Sequence, residues 1–243
     1  MTTLSFHQLT KSYGRVVAVD DFTAVAQPGR ITAFLGANGS GKTTSMRLLL
    51  GLAEPTSGSA RIDGRLYRDL EHPLRAVGAV LDQGFHPNRT ARNHLRIVAA
   101  QAGIGHETDR IDELLDLFDL VGAANRTVGG FSLGMRQRLA LASALVGSPG
   151  ALVLDEPFNG LDPDGIRMMR SQLRSFADAG GTVFLSSHLL AEVAHSADEL
   201  IVIHRGRLVT AGPVDHIVRE GEDLETTFHN LIHPNNENHG VQR

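Results

Sequence analysis

Apolar and polar residues alternate through "TLSFHQL" and again through "VVAVDDFTAVA", before a turn at Pro28-Gly29. A period of two sends successive side chains to opposite faces, so both stretches predict antiparallel strands with one buried face. "RITAFLG" is instead apolar nearly throughout, and it runs straight into a glycine-rich loop followed by the helical "TTSMRLLLG". "EPTSG" is a turn and "SARIDG" a further short strand. The segment "LRAVGAVLD" ends in a short apolar strand of the parallel, doubly buried type.

Beyond it the period changes. "TARNHLRIVAAQAG" and "DRIDELLDLFDLVG" read as helices, the second placing Ile111, Leu114, Leu115, Phe118 and Val121 along one face. "FSLGMRQRLALASAL" reads as another, with Ser132 at its mouth as an N-cap whose hydroxyl accepts a hydrogen bond from a first-turn amide. Apolar strands return with "ALVLDEP" and "GTVFLSSH", separated by the helical "DPDGIRMMRSQLRSFADAG", and "DELIVIHRGRLVTAG" predicts a hairpin turning at Arg205-Gly206. The pattern amounts to one α/β core spanning residues 1–222, interrupted by a helical insertion at about 84–150. Residues 223–243, with "HPNNENHG", show no core-forming periodicity and are expected to form a loose tail. The tail histidines are not read as a metal site.

Composition narrows the classes. A chain of 243 residues with 42% hydrophobic and 21% charged residues has enough apolar material for a core and is not expected to be disordered. Its 23 basic and 27 acidic residues leave a net charge of -4, so no global positive field draws it to nucleic acid or anionic lipid. The absence of cysteine removes disulfides, thiolate catalysis and cysteine-ligated metal. The opening "MTTLSFHQLTKSYG" has no basic segment followed by an apolar core, so no signal peptide is expected. No run approaches the ~20 apolar residues of a membrane span. A role at a membrane would need spans supplied by another chain.

The strongest chemical signal is "GANGSGKTT". Gly36, Ala37, Asn38, Gly39, Ser40, Gly41, Lys42, Thr43 and Thr44 match the G-x-x-x-x-G-K-[ST] pattern after an apolar strand and before a helix. Backbone amides at Gly39 and Gly41 can approach phosphate oxygens, and the helix N-terminus adds a field favourable to anions. Lys42 is placed to neutralise β- and γ-phosphate charge, and the Thr43 hydroxyl to bind Mg²⁺. "ALVLDEP" delivers two adjacent carboxylates at a strand end: Asp155 as a Mg²⁺ holder and Glu156 as general base toward a water. "FLSSH" places His188 at the end of a third strand, where an imidazole can sense a γ-phosphate. These motifs define a nucleoside triphosphate site and leave kinase, GTPase and ATPase open. No N-K-x-D guanine-reading motif is present, and neither a GTPase nor a kinase accounts for "FSLGM" ahead of "LVLDEP".

In this order the motifs resemble the nucleotide-binding subunit of ATP-binding cassette (ABC) transporters, over nearly the whole chain up to the tail. The resemblance implies a P-loop NTPase of the ABC cassette type, with a mixed α/β core, an antiparallel β subdomain and a helical subdomain. It implies Mg²⁺ as cofactor and ATP as substrate. "FSLGM" corresponds to the family's L-S-G-G-Q signature, so Ser132 and Gly134 would bind phosphate held by the opposite subunit of a head-to-tail dimer. Tyr13 in "LTKSYG" would stack on adenine, Asp162 in "NGLDP" would lie at the dimer seam, and His188 would be the switch histidine. Leu133 stands where the family usually has glycine, and Met135 where it usually has glutamine. The family's glutamine after the "AVLDQG" strand falls on either Asp82 or Gln83.

The implied activity is ATP hydrolysis that drives a separate membrane-spanning permease from its cytoplasmic face, in a homodimer or with a related ATPase subunit. The region around "HPNRTARNHL" is most similar to ABC-2-type exporters such as those of daunorubicin or bacitracin resistance. The rival is a soluble ABC-type ATPase of DNA repair or translation. Such proteins carry two cassettes or a long coiled-coil insertion, and neither is present in this sequence.

Overall fold

The computed structural model describes residues 1–81, 84–105, 108–218 and 221–233. Strands β1 (Leu4–Tyr13), β2 (Val16–Ala26) and, later in the chain, β4 (Ser57–Ile62) form an antiparallel sheet in the order β2-β1-β4. The second sheet contains β3 (Ile31–Leu35), β5 (Val77–Val80), β6 (Ala151–Asp155), β7 (Thr182–Ser186), β8 (Glu199–His204) and β9 (Arg207–Pro213). Its order is β5-β6-β7-β3-β8-β9, parallel except for the closing β8-β9 hairpin. The helices are α1 (Lys42–Leu49), α2 (Pro73–Ala76), α3 (Ala91–Gln101), α4 (Thr108–Leu117), α5 (Leu133–Leu145), α6 (Pro163–Asp178), α7 (Leu190–Ala194), α8 (Val214–Ile217) and α9 (Leu224–Ile232). Among the described residues no helix is long and apolar enough to cross a membrane.

Central strands of the large sheet bury both faces. In β3, Ile31, Ala33 and Leu35 join the core packed by α3 to α7, while Phe34 faces the antiparallel sheet. The same alternation sends Leu152 and Leu154 of β6 one way and Ala151 and Val153 the other. This double burial explains why these strands read as continuous apolar runs, whereas β1 and β2, solvated on one face, alternate. The two sheets are joined by four buried rings: Phe6 of β1, Phe22 of β2, Phe34 of β3 and Phe184 of β7, with neighbouring centroids 5.1–5.6 Å apart. Phe6→Ala leaves a void at this junction and is expected to lower the unfolding free energy by about 3–5 kcal/mol. Guanidinium unfolding followed by circular dichroism measures it.

The expected loose tail from residue 223 is corrected for its first ten residues. Asp223 caps α9 by accepting from the Thr226 amide at 2.6 Å, and that bond holds its carboxyl below the usual aspartate range. Leu224 is buried in the main core, and Phe228, Leu231 and Ile232 pack against it at the spacing of one helix face. The polar run "HPNNENHG" adjoins this short amphipathic stretch and masked its period in the sequence. Residues 234–243, with their remaining histidine, lie outside the described residues.

Candidate nucleotide site

The site is built where β3, β6 and β7 end, at the carboxyl edge of the parallel strands. Leu35 ends β3, and residues 36–41 loop into the head of α1. Gly41 takes φ 112°, and a Cβ there would stand 2.5 Å from the Ala18 carbonyl oxygen, so only glycine lets the chain enter α1 at this point. Ala37, Asn38 and Gly39 are exposed on the rim, while Gly36, Ser40, Gly41 and Lys42 are buried beneath it. The Lys42 ammonium donates to the carbonyls of Gly36 at 2.6 Å and Ala37 at 3.4 Å, bridging the loop from below. Burial pushes its pKa below the ordinary lysine range, while the charges of Glu156 and Asp155 oppose that shift. Among the described residues the buried Ser40 hydroxyl has no hydrogen-bond partner.

The remaining candidates form one connected network. Thr43 Oγ1 donates to Asp155 Oδ2 at 2.6 Å, and the Ser186 hydroxyl donates to Asp155 Oδ1. The Glu156 amide donates to Ser186 Oγ at 3.0 Å. His188 meets Glu156 Oε2 twice, through its backbone amide at 3.2 Å and its Nδ1 at 2.7 Å. Glu156 lies at φ 53°, a left-handed conformation that costs a non-glycine residue about 1–3 kcal/mol and persists only where its surroundings hold it. Two adjacent carboxylates therefore have different surroundings: Asp155 is fixed by two hydroxyls, and Glu156 is turned toward an imidazole.

A divalent cation fits this donor set. Among the described residues no three His, Asp or Glu side chains come together as a protein cage. One hydroxyl and one carboxylate beside a phosphate loop suit Mg²⁺, which takes its other ligands from phosphate and water. Thr44 is half-buried on the first turn of α1.

Four candidates stand on other elements. Ser132 caps α5, its Oγ accepting from the Met135 amide at 3.1 Å, with Gly134 in the same first turn. Asp162 caps α6, accepting from the Gly165 amide at 2.9 Å. Tyr13 ends β1 and is 52% exposed; the Lys11 ammonium stands 4.8 Å from its ring centroid and donates to the Glu54 carbonyl at 2.6 Å. Leu133 lies over Gly160, where a Cβ would stand 2.2 Å from Leu133 Cδ2, so the head of α5 rests on the loop between Glu156 and Asp162. Asp82 and Gln83 lie outside the described residues. Ser186 is a site residue that motif reading passed over; the signal for it was a hydroxyl at the end of an otherwise apolar strand, "TVFLS".

The family described as ABC transporter matches residues 19–159, from β2 to the loop after Glu156. The bacitracin transport ATP-binding protein BcrA of Bacillus licheniformis is 43% identical over 219 residues, covering 89% of this chain and 71% of its own length. The lantibiotic transport ATP-binding protein SrtF of Streptococcus pyogenes is 37% identical over 233 residues, covering 94% of this chain and 97% of its own. A solved ATP-binding subunit of an ABC transporter superposes with a TM-score of 0.85 at 27% identity, covering 94% of this chain and 98% of that one. A family model over more than half of the chain, relatives matched over most of their length and a solved cassette of the same fold thus agree, and the chain belongs to the ABC transporter family as an ATP-binding, ATP-hydrolysing subunit.

Proposed function

We propose that this subunit powers export of an antibiotic-like compound through a separate membrane-spanning permease, from the cytoplasmic face, by closing as a dimer on two Mg-ATP molecules. The export reading is supported by its similarity to the bacitracin and lantibiotic transport subunits, at 43% and 37% identity. Mechanically, Lys42 and the amides of residues 39–44 would hold the β- and γ-phosphates. Thr43 and Asp155 would hold Mg²⁺, which when bound neutralises developing charge on the phosphate oxygens. Glu156 takes the proton of the attacking water. Its Oε2 is occupied by His188, leaving Oε1 as the accepting atom.

His188 would contact the γ-phosphate through Nε2. Ser132 and Gly134 would close the site on the other protomer's nucleotide, at a helix end suited to anions. Such an isologous pairing, each α5 head meeting the partner's phosphate loop about a two-fold axis, makes both sites equivalent. Asp162 would lie at the seam. A homodimer and a pair with a related subunit both satisfy this geometry.

Tyr13 would stack on adenine. Tyr13→Ala is expected to weaken ATP binding by about 1–3 kcal/mol, the range for one base on one aromatic ring, while binding of tripolyphosphate is unchanged. Equilibrium titration of both ligands checks this, and an equal loss for both would move Tyr13 out of the base contact. For the transport reading, the tagged chain is purified from detergent-solubilised membranes and from cytosol, and its companions are identified by mass spectrometry. Recovery with a multi-spanning protein is expected. Recovery only from cytosol with ribosomes or DNA-bound proteins would keep the ATPase and overturn the transporter assignment.

A further inference from the structure

Ser186 is the last residue of β7 and is fully buried between β6 and β3. A hydroxyl taken out of water inside a sheet is costly unless its hydrogen-bonding capacity is used. Here both roles are used, and their direction is forced. The Glu156 amide can only donate, so Ser186 Oγ accepts from it at 3.0 Å, and the single hydroxyl proton goes to Asp155 Oδ1. Asp155 keeps Oδ2 for the Thr43 side of the site, at 2.6 Å from Thr43 Oγ1. The amide that Ser186 holds belongs to the residue at φ 53°, whose carboxylate reaches the His188 ring two positions beyond Ser186 itself.

We infer that Ser186 is a positioning residue for ATP hydrolysis: one buried hydroxyl orients the Asp155 carboxylate for the divalent cation and pins the Glu156 backbone in the conformation that turns its carboxylate to His188. Cation capture and base orientation then depend on the same side chain. This rests on the reading of Asp155 as the cation's carboxylate and Glu156 as the base. A serine that only filled space would leave cation affinity unaltered when shortened to alanine.

The test uses the full chain with ATP and Mn²⁺ as the cation, observed by electron paramagnetic resonance, alongside ATP binding in the presence of chelator. Ser186→Ala is expected to lower Mn²⁺ affinity of the ATP-loaded chain about 10–100-fold, the usual scale for a residue that orients a metal ligand. Metal-free ATP affinity should stay at the wild-type value, which also reports that the site is folded. Ser186→Thr keeps the hydroxyl and should recover most of the Mn²⁺ affinity. Because metal-free ATP affinity is kept while cation affinity falls, the KM for the metal–ATP complex should rise with the cation's dissociation constant, and kcat should fall as the base loses its orientation. Wild-type Mn²⁺ affinity in Ser186→Ala overturns the inference, as does a Ser186→Thr variant that binds Mn²⁺ as weakly as Ser186→Ala. Asp155→Asn is measured in parallel. If it loses Mn²⁺ while Ser186→Ala does not, only the role of Ser186 falls; if it also keeps wild-type affinity, the cation site has been misplaced and the inference falls with it.

Discussion

Glu156→Gln is expected to lower steady-state ATP turnover by about 10²–10⁴-fold, the range supplied by a positioned general base. The exchange is nearly isosteric. Glutamine retains a carbonyl oxygen that can accept from the His188 amide, and its backbone faces the same left-handed cost that glutamate does, so the local fold should persist. What is lost is the ability of Oε1 to take a proton, because an amide oxygen is far less basic than a carboxylate. ATP binding should therefore survive, and the nucleotide-closed dimer should persist longer, since closure is relieved by hydrolysis. Phosphate release and size-exclusion chromatography with ATP measure the two effects together. Unchanged turnover would place the base on another residue.

Lys42→Ala is expected to abolish tight ATP binding. The ammonium is buried below the loop and donates to two of its carbonyls, so its removal takes away both the charge that phosphate would meet and the bridge that holds residues 36 and 37. Hydrogen bonds to charged groups contribute about 1.5–3 kcal/mol each, so losing this lysine's contacts to phosphate should weaken ATP roughly 100-fold or more. Stability should suffer less than binding. Burial already disfavours the charged form of this lysine, so an uncharged replacement relieves a desolvation cost while it loses the two loop contacts. Lys42→Met, which keeps the apolar stem, separates the two: melting close to wild type with binding still lost assigns the defect to the charge. Wild-type ATP affinity in Lys42→Ala would remove Lys42 from the phosphate contacts.

Much of the cassette could be read from periodicity because its elements obey one rule at a time. Strands β3, β6 and β7 are apolar on both faces since both faces are buried, and β1 and β2 alternate since one is solvated. That residues 36–44, Asp155, Glu156 and His188 follow directly on such strands was legible, because the change from apolar to polar there is abrupt. Helix α9 was not legible, since its apolar positions occupy barely two turns beside a polar tail, and its N-cap resembles any surface aspartate. Ser186 was missed for a related reason: spacing shows that a serine ends a strand, but only the register of β6 against β7 sets it opposite Asp155. The left-handed backbone of Glu156 leaves no mark in composition. The amide of that residue is held by a serine thirty residues further along the chain.

The contact between Leu133 and Gly160 has a consequence for descent. With a leucine at the head of α5, residue 160 has no room for even a methyl group unless that leucine moves, and its φ of 73° disfavours any other residue in any case. In lineages that keep a bulky side chain at the first position, mutations away from glycine at the second should be purged. Lineages with glycine at 133 are freed from the steric half of that constraint, though not from the conformational half. The steric link therefore acts only where residue 133 is bulky, and a graft of this signature into a relative whose position 160 is not glycine should need both residues to travel together.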